Sequence, residues 1–124
     1  MTVLLLTALA GGLGGALRFW VDTAVSRAAR SVFPWGTLVV NTSACLALGV
    51  ITGSEYAGAG GGDLRTVLGV GLMGGYSTFS TASVEAVRLI RQRRFGLSLG
   101  HALGMLVLSL AAATLGIAAG QRLA

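Results

Sequence analysis

Four long apolar segments follow one another along the chain, separated by short polar connectors. They cover approximately residues 3–21, 36–53, 64–90 and 97–119. A helix that crosses a bilayer needs about 20 apolar residues, with a range of about 17–25. The first, second and fourth segments have this length. The sequence therefore predicts an all-α membrane protein with four transmembrane helices in one domain, residues 1–124.

The third segment is too long and too polar at its centre for an ordinary spanning helix. Its run Gly71–Ser83 contains two adjacent glycines and six hydroxyl residues, namely Tyr76, Ser77, Thr78, Ser80, Thr81 and Ser83. Non-helical backbone at membrane depth is tolerated only where protein buries it or where it lines a cavity. We therefore expect a functional helix break near residues 74–80. A kink that serves only packing is the alternative.

Composition favours a lipid environment. Hydrophobic residues make up 54% of the chain and charged residues 10%, whereas about a quarter of the residues in soluble domains are charged. Nine arginines and four acidic residues give a net charge of +5. The arginines lie at the ends of the apolar segments. We interpret them as residues that orient the chain in the membrane, and we expect no nucleic-acid binding.

Glycines recur at four-residue spacing in every apolar segment. Small residues at this spacing let membrane helices approach closely, so the spacing predicts a compact bundle that forms an oligomer. The pairs are Gly11/Gly15, Gly49/Gly53, Gly71/Gly75, Gly100/Gly104 and Gly116/Gly120. The single cysteine, Cys45, is interpreted as a small packing residue.

Two polar residues inside the apolar segments have competing interpretations. Asn41 must find hydrogen-bond partners in hydrocarbon, either on a neighbouring helix or along an ion pathway. Arg18 lies one helical turn before Asp22. It either extends to the interface and pairs with this aspartate, or it forms a vestibule charge that attracts anions.

The remaining titratable residues indicate no enzyme. Glu85 is expected to pair with Arg88 on the same helix face. His101 has no cysteine, histidine or acid at ligand spacing, so a packed or interfacial histidine is expected. The sequence contains no nucleophile–base pair and no buried carboxylate dyad.

Two motifs together resemble the Fluc fluoride channels, also called the CrcB family. They are WGTLVVN at Trp35–Asn41 and GGYSTFSTAS at Gly74–Ser83. The length, the four-span layout, the early element at Gly11–Arg18 and the pattern at Arg94–Gly96 also fit. The resemblance implies dimers of antiparallel subunits in the cell membrane, which let fluoride leave the cell passively and so reduce its toxicity.

The resemblance also implies roles for individual residues. Fluoride would pass the amide of Asn41 and the ring of Phe79, followed by the hydroxyl groups of Ser80 and Ser83. Hydrogen-bond donors suit this small, strongly hydrated anion, and a phenyl edge carries partial positive charge.

A structural sodium ion at the dimer centre is also implied. The backbone carbonyls of Gly74 and Ser77, from both subunits, would bind it. Carbonyl oxygen suits a hard cation.

One position departs from the family pattern. The motif usually reads T-F-S-T-F-S, whereas this chain has Ala82 in place of the second phenylalanine. A non-conducting structural subunit is therefore one alternative to a channel. The other is a small proton-coupled exporter, which would need a carboxylate in the middle of a span.

The arginine distribution favours a heterodimer with a paralogous subunit. Homodimers of antiparallel copies must insert both ways, so their basic residues should be balanced. Here the first and third connectors contain six arginines, namely Arg27, Arg30, Arg88, Arg91, Arg93 and Arg94. The opposite side contains two, Arg65 and Arg122. The positive-inside rule then places the first and third connectors in the cytoplasm.

Overall fold

The computed structural model of the chain describes residues 1–58 and 61–123. These residues form helices and connecting loops, with no strand among them. The elements are α1 (Thr2–Ala29), α2 (Trp35–Tyr56), α3 (Gly62–Arg65), a π-helical segment (Thr66–Met73), α4 (Gly74–Tyr76), α5 (Ser80–Arg91) and α6 (Phe95–Leu123). The predicted all-α class is therefore confirmed.

Three helices, α1, α2 and α6, are long enough and apolar enough to cross a membrane. Their apolar side chains lie largely on the outside of the bundle. Leu9 of α1 is 71% exposed and Leu115 of α6 is 65% exposed. In lipid this exposure costs nothing, because the solvent is as apolar as leucine. The first, second and fourth predicted spans thus correspond to these three helices.

The predicted third segment contains several shorter elements. Helical backbone runs from Gly62 to Tyr76 through α3, the π-helical segment and α4. Ser77 then has extended backbone, with φ −74° and ψ 160°. Residues Ser77–Phe79, called the linker below, are outside the helices, and α5 begins at Ser80.

Helices α2 and α6 form the most extensive helix–helix contact in the described residues. Four glycines allow it. A Cβ atom added at Gly49 would lie 2.5 Å from the carbonyl oxygen of Ala113 and 3.1 Å from the Cα of Gly116. Gly53 and Gly120 meet the opposite backbone equally closely. The prediction that these two small-residue pairs pack helices together is confirmed.

Helix α1 packs on the π-helical segment and α4 in the same way. A Cβ atom at Gly71 would lie 2.7 Å from the carbonyl oxygen of Thr7, and one at Gly75 would clash with the backbone of Gly11. In the first segment the closest approach belongs to Gly14, which faces the backbone of Leu72 and Tyr76. The Gly11 backbone takes part in this contact, but Cβ atoms added at Gly11 and Gly15 would lie 3.6 and 3.9 Å from the nearest carbonyl oxygen, so Gly14, and not the predicted pair, is the glycine that the contact requires.

The pair Gly100/Gly104 is different. Among the described residues, nothing lies within 4 Å of a Cβ atom added at either glycine. Within residues 1–58 and 61–123, this pair therefore packs against no other helix.

A larger side chain should destabilise the protein where a glycine contacts the backbone of another helix, and not where a glycine has no such contact. We expect Gly49→Leu to lower the thermal unfolding midpoint in detergent, because overpacking a tight core contact typically costs about 1–3 kcal/mol. Gly12→Leu is the matched control, since no described atom of another element lies within 4 Å of a Cβ atom added at Gly12. An equal midpoint for the two variants would contradict this packing.

Candidate functional site

The side chain of Asn41 holds the linker against α2. Its Nδ2 donates to the carbonyl oxygen of Thr78 at 2.6 Å, and its Oδ1 accepts from the Thr78 N–H at 2.8 Å. Nδ2 also lies 3.4 Å from the sulfur of Met105 on α6. Asn41 of α2 therefore makes the hydrogen bonds expected of an amide inside an apolar segment, and they satisfy both main-chain groups of Thr78 in the linker.

Two backbone N–H groups near the linker donate to side-chain oxygens. In a continuous helix, they would donate to the carbonyl oxygens of Gly74 and Ser77. In an α-helix, the carbonyl of residue i accepts from the N–H of residue i+4. The Thr78 N–H, four residues after Gly74, donates to Asn41. The Thr81 N–H, four residues after Ser77, donates to Thr78 Oγ1 at 3.1 Å. Neither carbonyl thus receives its usual helical donor.

A groove of about 450 Å³ lies between α2, the linker, α5 and α6. Apart from a few polar groups, its walls are apolar. Of the predicted site residues, the groove brings together Asn41, Ser77, Phe79 and Ser83. Ser83 Oγ donates to the Phe79 carbonyl at 2.9 Å, which ties the start of α5 to the linker.

The ring of Phe79 projects away from its own subunit. Phe79 is 87% exposed although it lies beside the buried Thr78. An aromatic side chain in the middle of the chain's membrane segments thus faces lipid or a second protein. Gly74 is also on an open surface, with no described atom within 4 Å of an added Cβ.

Arg18 and Ser80 do not line this groove. Arg18 lines a separate cavity of about 210 Å³, and Ser80 lines a third cavity of about 410 Å³. Both cavities include Asp22 and Thr81, so they adjoin each other. Ser80 and Ser83 therefore face different cavities, although they lie only three residues apart on α5.

The expected ion pair between Glu85 and Arg88 is wrong. Glu85 instead accepts a hydrogen bond from the Thr37 hydroxyl, which links α5 to the first turn of α2. The one ion pair within 4.0 Å in the described part of the chain joins Arg65 to Glu55, at 3.3 Å. Because no other ion pair occurs in these residues, the suggested pair of Arg18 with Asp22 does not form either.

Sequence reasoning missed Thr37 as a site residue. Thr37 is 2% exposed and also lines the cavity that contains Arg18. A hydroxyl group inside the motif WGTLVVN was the available signal, because a buried hydroxyl needs a hydrogen-bond partner.

Comparison with known proteins agrees with the motifs. The family model described as CrcB-like protein, Camphor Resistance (CrcB), matches residues 5–117. Fluoride-specific ion channel FluC 1 of Leifsonia xyli is 42% identical over 115 residues, which cover 93% of this chain and 84% of the relative. FluC 2 of Cutibacterium acnes is 42% identical over 117 residues, covering 92% of this chain and 94% of that protein.

A further relative, fluoride-specific ion channel FluC of Thermus thermophilus, is 38% identical over 119 residues. These residues cover 96% of this chain and 95% of the relative. The predicted resemblance is thereby confirmed. With its three long apolar helices, the chain is a multi-pass membrane protein that belongs to the CrcB family.

Proposed function

We propose that this protein is a fluoride channel, or one subunit of such a channel, through which fluoride leaves the cytoplasm passively. The observation that carries the proposal is its similarity along almost its whole length to proteins named fluoride-specific ion channels. Its function is therefore ion conduction and not enzymatic catalysis. Export of fluoride would reduce its toxicity in the cell.

The groove supplies the chemistry that fluoride needs. A pathway for a strongly hydrated anion must replace water with hydrogen-bond donors. One N–H of Asn41 is bonded to the Thr78 carbonyl, and the other points at the sulfur of Met105, 3.4 Å away. Because a thioether is a weak acceptor, the second N–H is the one available to an anion. Ser83 and Phe79 line the same groove; the Ser83 hydroxyl, which donates to the Phe79 carbonyl in this structure, would turn to donate to the anion instead.

An antiparallel dimer accounts for the exposure of Phe79. We propose that the third span is a single transmembrane helix broken at the linker, and that the ring of each subunit enters the groove of its partner. The exposed ring and the open surface at Gly74 lie close together along the chain. Both features support an interface on this face of the subunit.

The sodium site also remains a proposal, and the carbonyl chemistry supports it. The helical donors of Gly74 and Ser77 are occupied by side chains, which leaves carbonyl oxygens suited to a hard cation. Two carbonyls from each subunit would provide four ligands at the dimer centre. The ion would hold the two linkers together.

Two other functions are less well supported. A proton-coupled exporter is not favoured, because the named relatives are ion channels. A non-conducting structural subunit rests only on Ala82. The cavities lined by Arg18 and by Ser80 share Asp22 and Thr81, and with Arg18 as the attracting charge they fit a vestibule that leads fluoride towards the groove.

The arginine distribution supports a heterodimer with a paralogous subunit of opposite orientation. Six arginines lie on the first and third connectors, and two, Arg65 and Arg122, lie on the opposite side. The bias therefore favours one fixed orientation over dual insertion.

Loss of a pathway donor should slow fluoride efflux from liposomes. We expect Asn41→Ala and Ser80→Ala to reduce the initial rate by about 10- to 100-fold, since a hydrogen bond to a charged group is worth about 1.5–3 kcal/mol. Thr114→Ala is the matched control, because in the described residues its hydroxyl bonds to no group other than the Leu110 carbonyl on its own helix. Unchanged efflux in both pathway variants would exclude these residues from the pore.

Removal of sodium should destabilise the dimer. We expect the thermal unfolding midpoint in detergent to fall when N-methylglucamine replaces sodium at equal ionic strength, because the carbonyl ligands would lose their cation. Ser77→Ala should respond like the wild type, since it keeps its main-chain oxygen. Equal midpoints with and without sodium would contradict the site.

The orientation can be read from C-terminal reporter fusions. The arginine bias keeps the first and third connectors in the cytoplasm, and four spans then place the C-terminus outside. We therefore expect activity from a phosphatase that works only outside the cytoplasm, and no signal from a cytoplasmic fluorescent reporter. Equal signals from the two fusions would indicate dual insertion and remove the argument for a heterodimer.

A further inference from the structure

The two arginine-rich connectors meet at one end of the bundle. Ser31 and Pro34 of the first connector line a cavity of about 200 Å³ together with Arg88 and Gln92 at the end of α5. Arg88 also shares a cavity with Asp22 and Glu85. The other five arginines of this end are exposed and are called the arginine patch below: Arg27, Arg30, Arg91, Arg93 and Arg94.

No carboxylate neutralises the arginine patch. In the described ranges, the one ion pair within 4.0 Å joins Arg65 to Glu55, and neither residue belongs to the patch. The two acidic residues of this end, Asp22 and Glu85, are half-buried, and Glu85 is bonded to the Thr37 hydroxyl. The patch therefore presents positive charge without a partner in its own chain.

Helix ends do not account for this charge. The helices α1 and α5 end at this side of the bundle, whereas α2 and α6 begin there. Cations are favourable at helix C-termini and unfavourable at N-termini, so the two contributions largely cancel. Orientation in the membrane requires basic residues, but it does not require particular backbone positions.

Two arginines of the patch have strained backbone. Arg30 has φ 46° and ψ 45°, and Arg93 has φ 58°. Arg30 follows α1 and its N–H donates to the Ser26 carbonyl, and the Arg93 N–H, just after α5, donates to the Ile90 carbonyl. Glycine is usual at such a cap, because a Cβ atom makes the left-handed conformation costly.

This strain is specific to the patch. No other non-glycine residue in the described part of the chain has positive φ. Strained positions persist where the side chain serves a function. We therefore expect the guanidinium groups of Arg30 and Arg93 to bind something outside the chain.

Exposed apolar side chains border the patch. Phe95, which directly follows Arg94, is 61% exposed, and Trp35 of α2 is 43% exposed. Aromatic residues at the ends of membrane spans lie at the level of the lipid headgroups. Lipid phosphates lie at the same depth. A guanidinium group can form two parallel hydrogen bonds with phosphate oxygens, which an ammonium group cannot match.

We propose that the arginine patch binds the phosphate groups of anionic phospholipids, with Arg30 and Arg93 as the principal contacts. Anionic headgroups supply the negative charge that the chain itself does not supply, and each basic residue near such a surface strengthens the attraction. The inference requires insertion into a membrane but not fluoride conduction, so failure of one leaves the other standing.

Anionic lipid should stabilise the whole protein. We expect phosphatidylglycerol added to detergent micelles to raise the thermal unfolding midpoint by at least about 4 °C over phosphatidylcholine of the same chain length, because a ligand of the folded state stabilises it. The combined variant Arg30→Asn, Arg93→Asn should lose more than about half of this shift. Its midpoint in phosphatidylcholine should not fall, since asparagine tolerates the left-handed cap.

A charge-matched variant separates a site from diffuse attraction. Arg27→Gln with Arg91→Gln removes the same charge from the same end but leaves the strained arginines, and it should keep most of the shift. Equal losses in the two double variants, or no shift in the wild type, would overturn the proposal. Native mass spectrometry counts bound phosphatidylglycerol directly, and the same count for the wild type and the asparagine variant would overturn it as well.

Inorganic phosphate tests the source of the phosphate group. Added to phosphatidylcholine micelles at the same concentration, it should leave the midpoint within about 1 °C of its starting value. A rise equal to that with phosphatidylglycerol would identify the ligand as free phosphate and contradict the lipid assignment.

Discussion

The hydrogen-bonded pair between the Asn41 side chain and the backbone of Thr78 is the interaction on which the site depends. Hydrocarbon offers no water to satisfy free N–H and C=O groups, so a chain can leave the helix inside a membrane only where protein groups replace it. The Asn41 amide takes the place of water for both main-chain groups of Thr78, because it accepts from the N–H and donates to the C=O. Because of this pair, α4 can end at Tyr76 and α5 can begin at Ser80. The exposed ring of Phe79 and the loss of the usual helical donor to the Gly74 carbonyl follow from the same arrangement.

Close helix packing places Asn41 where it can make this pair. The glycines of α2 and α6 bring the two backbones into contact, and the hydrogen bond from Thr37 to Glu85 joins the start of α2 to α5. Helix α2 is therefore held on both sides of the residue that tethers the linker. Packing in lipid depends on van der Waals contact between small residues and not on hydrophobic burial. A single bulky substitution at Gly49 would thus move the amide as well as loosen the bundle.

The sequence predicted the helical class, three of the spanning helices and the glycine contact between α2 and α6, because lipid solvation and close helix approach constrain composition and spacing. It did not predict that Gly14 makes the close contact of α1, or that Gly100 and Gly104 pack against no other described helix. It did not predict side-chain partners. Glu85 lies at helical spacing from Arg88 but bonds to Thr37. Ser80 and Ser83 were expected along one track but line different cavities. These outcomes depend on how each helix is rotated about its axis, and tertiary packing sets that rotation. Hydrogen bonding of Asn41 to neighbouring groups was one of the two alternatives that the sequence left open, because an amide inside an apolar segment must find partners.

Ion selectivity tests the central claim most directly. Fluoride and chloride efflux would be measured with ion-selective electrodes from matched liposomes that contain the wild-type protein, alone and together with a paralogous partner. A site built from an oriented amide, hydroxyl groups and ring edges should replace the hydration of the smaller anion. We therefore predict rapid fluoride efflux while chloride remains trapped. Equal release of both ions, or no fluoride release under either condition, would contradict the account.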